Sequence, residues 1–202
     1  MDTTRTLAVT VGIGLCTAAL QAGEFDFQPT AVDPGMMAFL QDDAASSTPR
    51  RADAREVTPY AIGASDFNGN TLVAAGAGID WFVANGLSVG LFAEGMYVNQ
   101  EGDNAVGIGG GVLMRWHFVE TKSLSVFTEL GVGYTIFDQP VPADGVQGDF
   151  TPRAAIGMNL ALDATTSLSM QAGWLHLSNA QTGENNPAID ALAIGLGLHF
   201  EF

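Results

Sequence analysis

The sequence lacks three features on which several classes of protein depend. Among its 202 residues there is one cysteine, Cys16, so the chain after it can form neither an internal disulfide nor a cysteine metal site. Only 7 residues are Lys or Arg against 22 Asp or Glu, giving a formal net charge of -15. Nucleic-acid binding needs a basic surface, and this balance argues against it. Beyond the N-terminal segment no apolar run reaches the ~18 residues of a membrane helix.

The sequence instead shows a regular alternation of apolar residues with small or polar ones. Hydrophobic residues make up 47% of it and glycine contributes 25 residues, and from residue 57 onward apolar side chains alternate with small or polar ones. Successive side chains of a strand point to opposite faces, and transmembrane β-barrels carry an apolar outer face. We therefore predict an all-β fold, an eight-stranded antiparallel transmembrane β-barrel of the outer membrane, over residues 57–202. The predicted strands are 57–65, 71–83, 87–98, 105–118, 123–137, 149–162, 166–178 and 189–202.

The last predicted strand shows the pattern clearly. One face carries the large residues, namely Asp190, Leu192, Ile194, Leu196, Leu198, Phe200 and Phe202. The opposite face is mostly small, as in a narrow lumen: Ala191, Ala193, Gly195, Gly197, His199 and Glu201. A terminal Phe202 on an outward apolar face resembles the signal by which outer-membrane barrels are recognised for assembly, so we expect the barrel assembly machinery as a partner.

The inward faces of the other predicted strands carry the charges. These residues are Asp80, Glu94, Arg115, His117, Glu129 and Arg153. Side chains just fill the interior of an eight-stranded barrel, and buried charges need partners. We predict that these groups pair with one another as a structural polar core.

The segment before the barrel has two predicted parts. Residues 1–23 have the features of a secretory signal peptide, with Arg5 before an apolar stretch and a small residue, Ala22, near its end. Lipidation at Cys16 fits less well, because Leu15 stands where such sites have Gly or Ala. Residues 24–56 are acidic and rich in turn residues, which favours a periplasmic extension or linker.

The connections alternate in length, which fixes the orientation. Tight turns are predicted at 84–86, 119–122 and 163–165, and longer loops at 66–70, 99–104, 138–148 and 179–188. Barrels of this kind have short periplasmic turns and longer external loops. With both termini periplasmic, His176 and Ser178 lie at the external end of the seventh strand.

Three chemically complementary residues share the outward face there: Ser178, His176 and, on the next strand, Asp190. A serine becomes nucleophilic when a histidine takes its proton and a carboxylate orients that histidine. A hairpin centred near Glu184 puts Ser178 opposite Asp190, with a shift of two residues left open. Asn179 is a candidate donor to an oxyanion. We expect no metal site and no cofactor, although the acidic loops leave a calcium requirement open.

The same residues have a second interpretation that needs no chemistry. His, Ser and Trp are common where a strand reaches the headgroup level, and a His-x-Ser pattern arises often by chance. What favours a site is that the three residue types meet on the lipid side of the wall and not in the lumen.

The order His176-x-Ser178-Asn179-Ala180, then Asn186-Pro187-x-Ile189 and an acid at position 190, resembles the PagL family of lipid A 3-O-deacylases. These are outer-membrane barrels with a lipid-facing Ser-His-Glu triad. The resemblance implies that Ser178 is the nucleophile, His176 the general base and Asn179 an oxyanion-hole residue. The acid departs from the family pattern, since Asp190 stands where Glu is usual, and Glu184 in the loop is an alternative acid.

The resemblance implies an esterase that removes the 3-hydroxyacyl chain from position 3 of lipid A. Its partners would be lipid A or lipopolysaccharide and other outer-membrane lipids, with no nucleic acid, and the protein would be a monomer or homodimer. Two alternatives remain. One is a phospholipase on the same scaffold. The other is a non-enzymatic structural or adhesive barrel that displays loops such as 138–148.

Overall fold

The computed structural model describes residues 50–182 and 186–202. The predicted signal peptide, Cys16 and residues 24–49 of the predicted extension lie outside the described residues. The described part consists of antiparallel strands, and it holds no helix long and apolar enough to cross a membrane. The strands are β1 Arg55–Ser65, β2 Thr71–Ala84, β3 Leu87–Asn99, β4 Ala105–Glu120, β5 Leu124–Val141, β6 Val146–Phe150, β7 Arg153–Ala161, β8 Thr166–Ser178 and β9 Ala188–Glu201.

The strands close into a ring. Each of β1 to β5 pairs with the next, β9 pairs with both β8 and β1, and β6 and β7 both lie between β5 and β8. Apart from a register shift between Ile136 and Val141 near the hairpin turn, β6 and β7 continue one register against both neighbours, so they are two parts of a single barrel position. The interruption falls at Thr151 and Pro152, and a proline has no N–H to give to a ladder. The predicted eight-stranded barrel is confirmed, with one strand position divided in two.

Most predicted strand ends agree with the structure to within two residues, and the longest predicted loop does not. The connection at 138–148 is largely strand, because β5 continues to Val141 and β6 begins at Val146. These two valines pair with each other, and Val141 is fully buried. The Gln147 side chain also donates to the Asp138 carbonyl oxygen at 2.8 Å. Apolar packing at Val141 therefore extends the hairpin, and its turn is confined to residues 142–145.

The outer wall is apolar, as the alternation predicts. We call the end of the barrel with Arg55 and Glu201 the terminal end, and the end with Ser178 and Ala188 the loop end. Exposed aromatic side chains form two bands, as on the lipid-facing surface of membrane barrels. The band toward the terminal end consists of Trp81, Trp116, Phe118, Phe200 and Phe202, and the band toward the loop end of Tyr97, Tyr134, Phe150 and Trp174.

The lumen toward the loop end is apolar. Its buried residues form one cluster: Ile62, Leu72, Ala74, Met96, Val98, Ala105, Phe137, Val141, Leu175, Leu177, Ile189 and Ala191. Because this cluster includes residues of β8 and β9, it packs directly behind the outward side chains of those two strands.

Ion pairs occupy the middle of the lumen, as predicted. Arg153 donates to Glu94 at 3.2 Å, and its guanidinium carbon lies 4.2 Å from the centre of the Phe92 ring. Arg115 is bonded to Glu129 at 3.2 Å and to Asp80 at 3.4 Å. All five charged side chains are almost fully buried. The prediction that the interior charges pair with one another is confirmed for these five residues. It is wrong for His117, whose Nδ1 atom lies 3.0 Å from the Ser125 hydroxyl oxygen instead of near a charged partner.

A further polar network at the terminal end was not predicted. Arg50, which precedes β1, donates from its guanidinium to Glu56 at 2.6 Å and to Ser125 at 3.0 Å. Its backbone N–H donates to the Glu120 carboxylate at 3.1 Å. The Glu56 carboxylate also lies 3.0 Å from the Nδ1 atom of the buried His199. Arg50 is thus bonded into the terminal end of the barrel.

Candidate active site

The ladder between β8 and β9 decides which outward side chains meet. His176 lies directly opposite Asp190, and Ser178 lies opposite Ala188. The predicted pairing of Ser178 with Asp190 is therefore wrong by two residues. The hairpin is centred on residue 183 instead of 184, and moving the centre by one residue moves every partner by two. The acid therefore lies directly opposite the histidine and not opposite the serine.

The three side chains form a continuous hydrogen-bonded row. His176 Nε2 lies 2.9 Å from Ser178 Oγ, and His176 Nδ1 lies 2.8 Å from Asp190 Oδ1. A carboxylate can only accept, so the bond to Asp190 assigns the imidazole proton to Nδ1. Nε2 then carries a lone pair directed at the serine hydroxyl. This is the arrangement in which a histidine can take a serine proton.

The solvent exposure of the side chains decreases from Asp190 through His176 to Ser178. The Asp190 side chain is 64% exposed and that of His176 is 21% exposed, whereas Ser178 is buried although its position in β8 faces outward. On the side of β8 away from β9, the cross-strand neighbour of Ser178 is Phe150 of β6, an exposed residue of the outer wall. The serine side chain is thus enclosed, whereas the Asp190 carboxylate lies at the surface.

The β8 backbone that carries Ser178 and His176 is fixed by packing on its lumen face and by a hydrogen bond along one edge. Leu175 and Leu177 alternate with the outward residues and are buried in the apolar cluster of the lumen. On the other side of β8, the His176 N–H donates to the Pro152 carbonyl oxygen at 3.0 Å. The break between β6 and β7 thus supplies an acceptor to the histidine's own backbone.

Asn179 ends β8 and organises the turn that follows. Its side-chain oxygen accepts from the Gln181 N–H at 2.8 Å, and its carbonyl oxygen accepts from the Thr182 N–H at 3.0 Å. Ala180 and Gln181 have φ of 51° and 64°, a conformation that non-glycine residues adopt mainly in tight turns. The Asn179 side-chain oxygen is therefore used by the loop, and its NH₂ group is the part suited to the predicted oxyanion role. The alternative acid, Glu184, lies outside the described residues.

Comparison with known proteins identifies the family. A sequence model described as lipid A 3-O-deacylase (PagL) matches residues 68–199, more than half of the chain. The chain belongs to the PagL family. Ser178, His176, Asp190 and Asn179 all fall within the matched part.

Solved structures agree with this assignment at the level of fold. The outer membrane enzyme PagL superposes with a TM-score of 0.59 at 18% identity, covering 70% of this chain and 97% of that one. The N-terminal β-barrel domain of Pseudomonas aeruginosa OprF gives 0.51 at 15% identity, covering 74% and 98%. No curated protein sequence matches the chain. This PagL family member is an outer-membrane β-barrel.

Sequence reasoning missed one residue at the candidate site of this PagL family member. The Trp174 indole N–H donates to Asp190 Oδ1 at 2.8 Å, and its ring centre lies 5.3 Å from that of His176 at an interplanar angle of 31°. The signal was present in the alternation, since Trp174 shares the outward face and lies one outward position before His176. It was hidden because tryptophan is common on the lipid-facing surface for other reasons.

Proposed function

We propose that this protein is an outer-membrane serine esterase that hydrolyses the acyl ester at position 3 of lipid A. The observation that supports this most directly is the row Ser178–His176–Asp190, with its two hydrogen bonds of 2.9 and 2.8 Å. The row stands on the outer wall of a PagL family member. In this proposal Ser178 is the nucleophile, His176 the general base and acid, and Asp190 the group that orients the imidazole.

The first half of the reaction transfers the acyl group to the enzyme. Ser178 Oγ attacks the ester carbonyl carbon while its proton passes to His176 Nε2. The Asp190 carboxylate stabilises the imidazolium that forms. The negative charge on the carbonyl oxygen is stabilised by the Asn179 NH₂ group together with nearby backbone N–H groups. When the intermediate collapses, the bond between the carbonyl carbon and the sugar oxygen breaks, and His176 returns its proton to that oxygen.

The second half releases the fatty acid. A water molecule attacks the acyl-serine carbonyl, and His176 Nε2 accepts its proton. Collapse of this second intermediate breaks the bond to Ser178 Oγ, which takes the proton back from His176. The products are a free 3-hydroxy fatty acid and a lipid A with a free hydroxyl group at position 3.

The direction of the row favours a lipid substrate. Its side chains project from the same face as Leu192 and Ile194, which are 54% and 63% exposed on the outer wall. Acyl chains of a lipid in the outer leaflet lie alongside such a wall. The ester at the top of a chain can then reach Ser178 while the rest of the lipid stays in the membrane.

Mass spectrometry of lipid A tests the proposal. Cells of a Gram-negative host would express the wild type, Ser178→Ala or Ser169→Ala, the last a control that removes a buried, inward-facing serine of the same strand. We expect loss of one 3-hydroxyacyl mass with the wild type and with Ser169→Ala, and none with Ser178→Ala.

Other results would point elsewhere. Deacylation that survives in Ser178→Ala would remove Ser178 from the mechanism. Acyl loss from glycerophospholipids instead of lipid A would favour the phospholipase. Unchanged lipids with a folded barrel in the membrane would favour a structural or adhesive role.

A further inference from the structure

One carboxylate oxygen of Asp190 is hydrogen-bonded to two side chains, those of Trp174 and His176. Asp190 Oδ1 accepts from the Trp174 indole N–H at 2.8 Å and lies 2.8 Å from His176 Nδ1. Both donors come from β8, and the acceptor comes from β9. Trp174 lies opposite Leu192, and its side chain reaches Asp190 diagonally across the ladder.

Asp190 needs such a restraint more than its neighbours do. Its side chain is 64% exposed, so water and polar headgroups compete for its oxygens. A carboxylate that turned toward them would leave His176 without an acceptor at Nδ1, and the imidazole would no longer be held in the required tautomer. The histidine cannot prevent this alone, because one hydrogen bond leaves the carboxylate free to rotate about it.

The indole is suited to the task. Its N–H only donates, so it can bond the carboxylate form of Asp190 without offering a competing acceptor to His176. The ring also lies against the imidazole, with centres 5.3 Å apart, which limits the space for the imidazole to turn. One side chain therefore restrains both the acid and the base.

We propose that Trp174 is a positioning residue of the site, which fixes the Asp190 carboxylate and the His176 ring relative to each other before substrate arrives. The inference rests on the proposed function, since it assigns Trp174 a role in that reaction. Trp174 does not touch the reacting atoms. It acts through Asp190 and His176.

The competing explanation is that Trp174 serves only as an interfacial anchor, as tryptophans of membrane proteins commonly do. Trp116 offers a matched control. It is an outward tryptophan of the same barrel, 55% exposed, and it lies on β4 toward the terminal end beside Phe118. A general effect of losing an indole from the lipid face should appear equally in Trp116→Phe.

The kinetic experiment uses the full-length folded barrel in mixed micelles with a lipid A substrate. We expect Trp174→Phe to lower kcat roughly tenfold, the size of effect that follows from losing a hydrogen bond to a charged group, with KM little changed. Trp116→Phe should match the wild type. In an Asp190→Ala background, Trp174→Phe should have no further effect, because the bonded partner is already absent. Equal activity of Trp174→Phe and Trp116→Phe, or an undiminished effect in the Asp190→Ala background, would overturn the proposal.

A second measurement does not depend on activity. The chain has 3 tryptophans, so ¹⁵N-labelled protein in micelles gives three indole N–H signals, and Trp174→Phe and Trp116→Phe assign them. We expect Asp190→Ala to move the Trp174 signal alone and to speed its exchange with water. A Trp174 signal that ignores Asp190→Ala would overturn the positioning role even in an active esterase. A signal that depends on Asp190, in a barrel that deacylates nothing, would count against the proposed function and leave the contact intact.

Discussion

His176 and Asp190 are direct neighbours across the β8–β9 ladder, with Nδ1 and Oδ1 2.8 Å apart. Directly opposed residues of an antiparallel pair have Cα atoms only ~4.5–5.5 Å apart, so a short acid spans the gap. The PagL resemblance implies a glutamate here, and the register explains how an aspartate makes the same bond. Strand pairing therefore places the Asp190 carboxylate within hydrogen-bonding distance of His176.

The charge and the length of the Asp190 side chain can be tested separately. In Asp190→Asn the side-chain amide can present an N–H to His176 and favour the wrong tautomer, so we expect kcat to fall by about 10²–10⁴-fold. Asp190→Glu keeps the charge but places it one methylene further out, and its loss should be smaller. Initial rates of lipid A deacylation in micelles measure both. Asp190→Asn at wild-type rate would exclude Asp190 as the orienting acid.

Asn179 braces the turn after β8 and is proposed to stabilise the oxyanion, and two substitutions distinguish these roles. Asn179→Asp keeps the oxygen that accepts from Gln181 N–H but lacks the NH₂ group, whereas Asn179→Ala loses both. If the NH₂ group serves the oxyanion, Asn179→Asp should lower kcat by roughly 10²–10³-fold while the barrel remains folded. If Asn179 only braces the turn, Asn179→Asp should retain activity and Asn179→Ala should lose it. Single-turnover rates with folding checked by circular dichroism give the answer.

The buried ion pairs should affect stability much more than catalysis. Glu94→Ala removes the acceptor of Arg153 and of the Tyr60 hydroxyl, leaving a buried charge unpaired. We expect the free energy of unfolding to fall by about 3–5 kcal/mol, measured by urea unfolding in lipid vesicles. The double variant Glu94→Met with Arg153→Met leaves no charge behind and should lose less. A double variant less stable than Glu94→Ala would contradict this account of the lumen.

Close approach of β7 and β8 behind the site makes Gly173 sensitive. A Cβ added there would meet the Ala154 carbonyl oxygen and would lie 2.6 Å from the Ala155 Cα atom, whereas one added at Gly63 meets nothing within 4 Å. Gly173→Ala should lower the free energy of unfolding by about 1–3 kcal/mol and reduce deacylation, because Trp174 is the next residue. Gly63→Ala should change neither quantity. Similar losses in both variants would show that glycine itself, and not the contact, matters.

The faces of the strands could be predicted from the sequence, and the pairing of β8 with β9 could not. A period of two assigns each side chain to the lumen or the lipid, and a slip of two residues leaves that assignment unchanged. The error in pairing Ser178 with Asp190 therefore did not disturb the prediction that both face outward. Register depends on the geometry of the turn, and the segment between Asn179 and Ala188 carries no dipeptide that specifies one turn type.

Contacts between residues far apart in the chain also could not be predicted from the sequence. Arg50 is hydrogen-bonded to Ser125, 75 residues further along the chain, and no local sequence pattern predicts a contact at that separation. Val141 looked like part of a polar loop because its neighbours are Asp, Gln and Pro. Its burial depends on the apolar cluster that the closed ring brings together.

The packed lumen has a consequence for the route by which the lipid substrate and the products reach and leave the site. Arg50 is bonded into one end of the barrel and an apolar cluster fills the other, so the proposed chemistry takes place without a passage through the protein. A lipid would arrive by sliding within its leaflet, and both products would leave the same way. Turnover in the proposed reaction would then depend on the surface density and fluidity of the surrounding leaflet, because the membrane itself is the medium through which substrate and products diffuse.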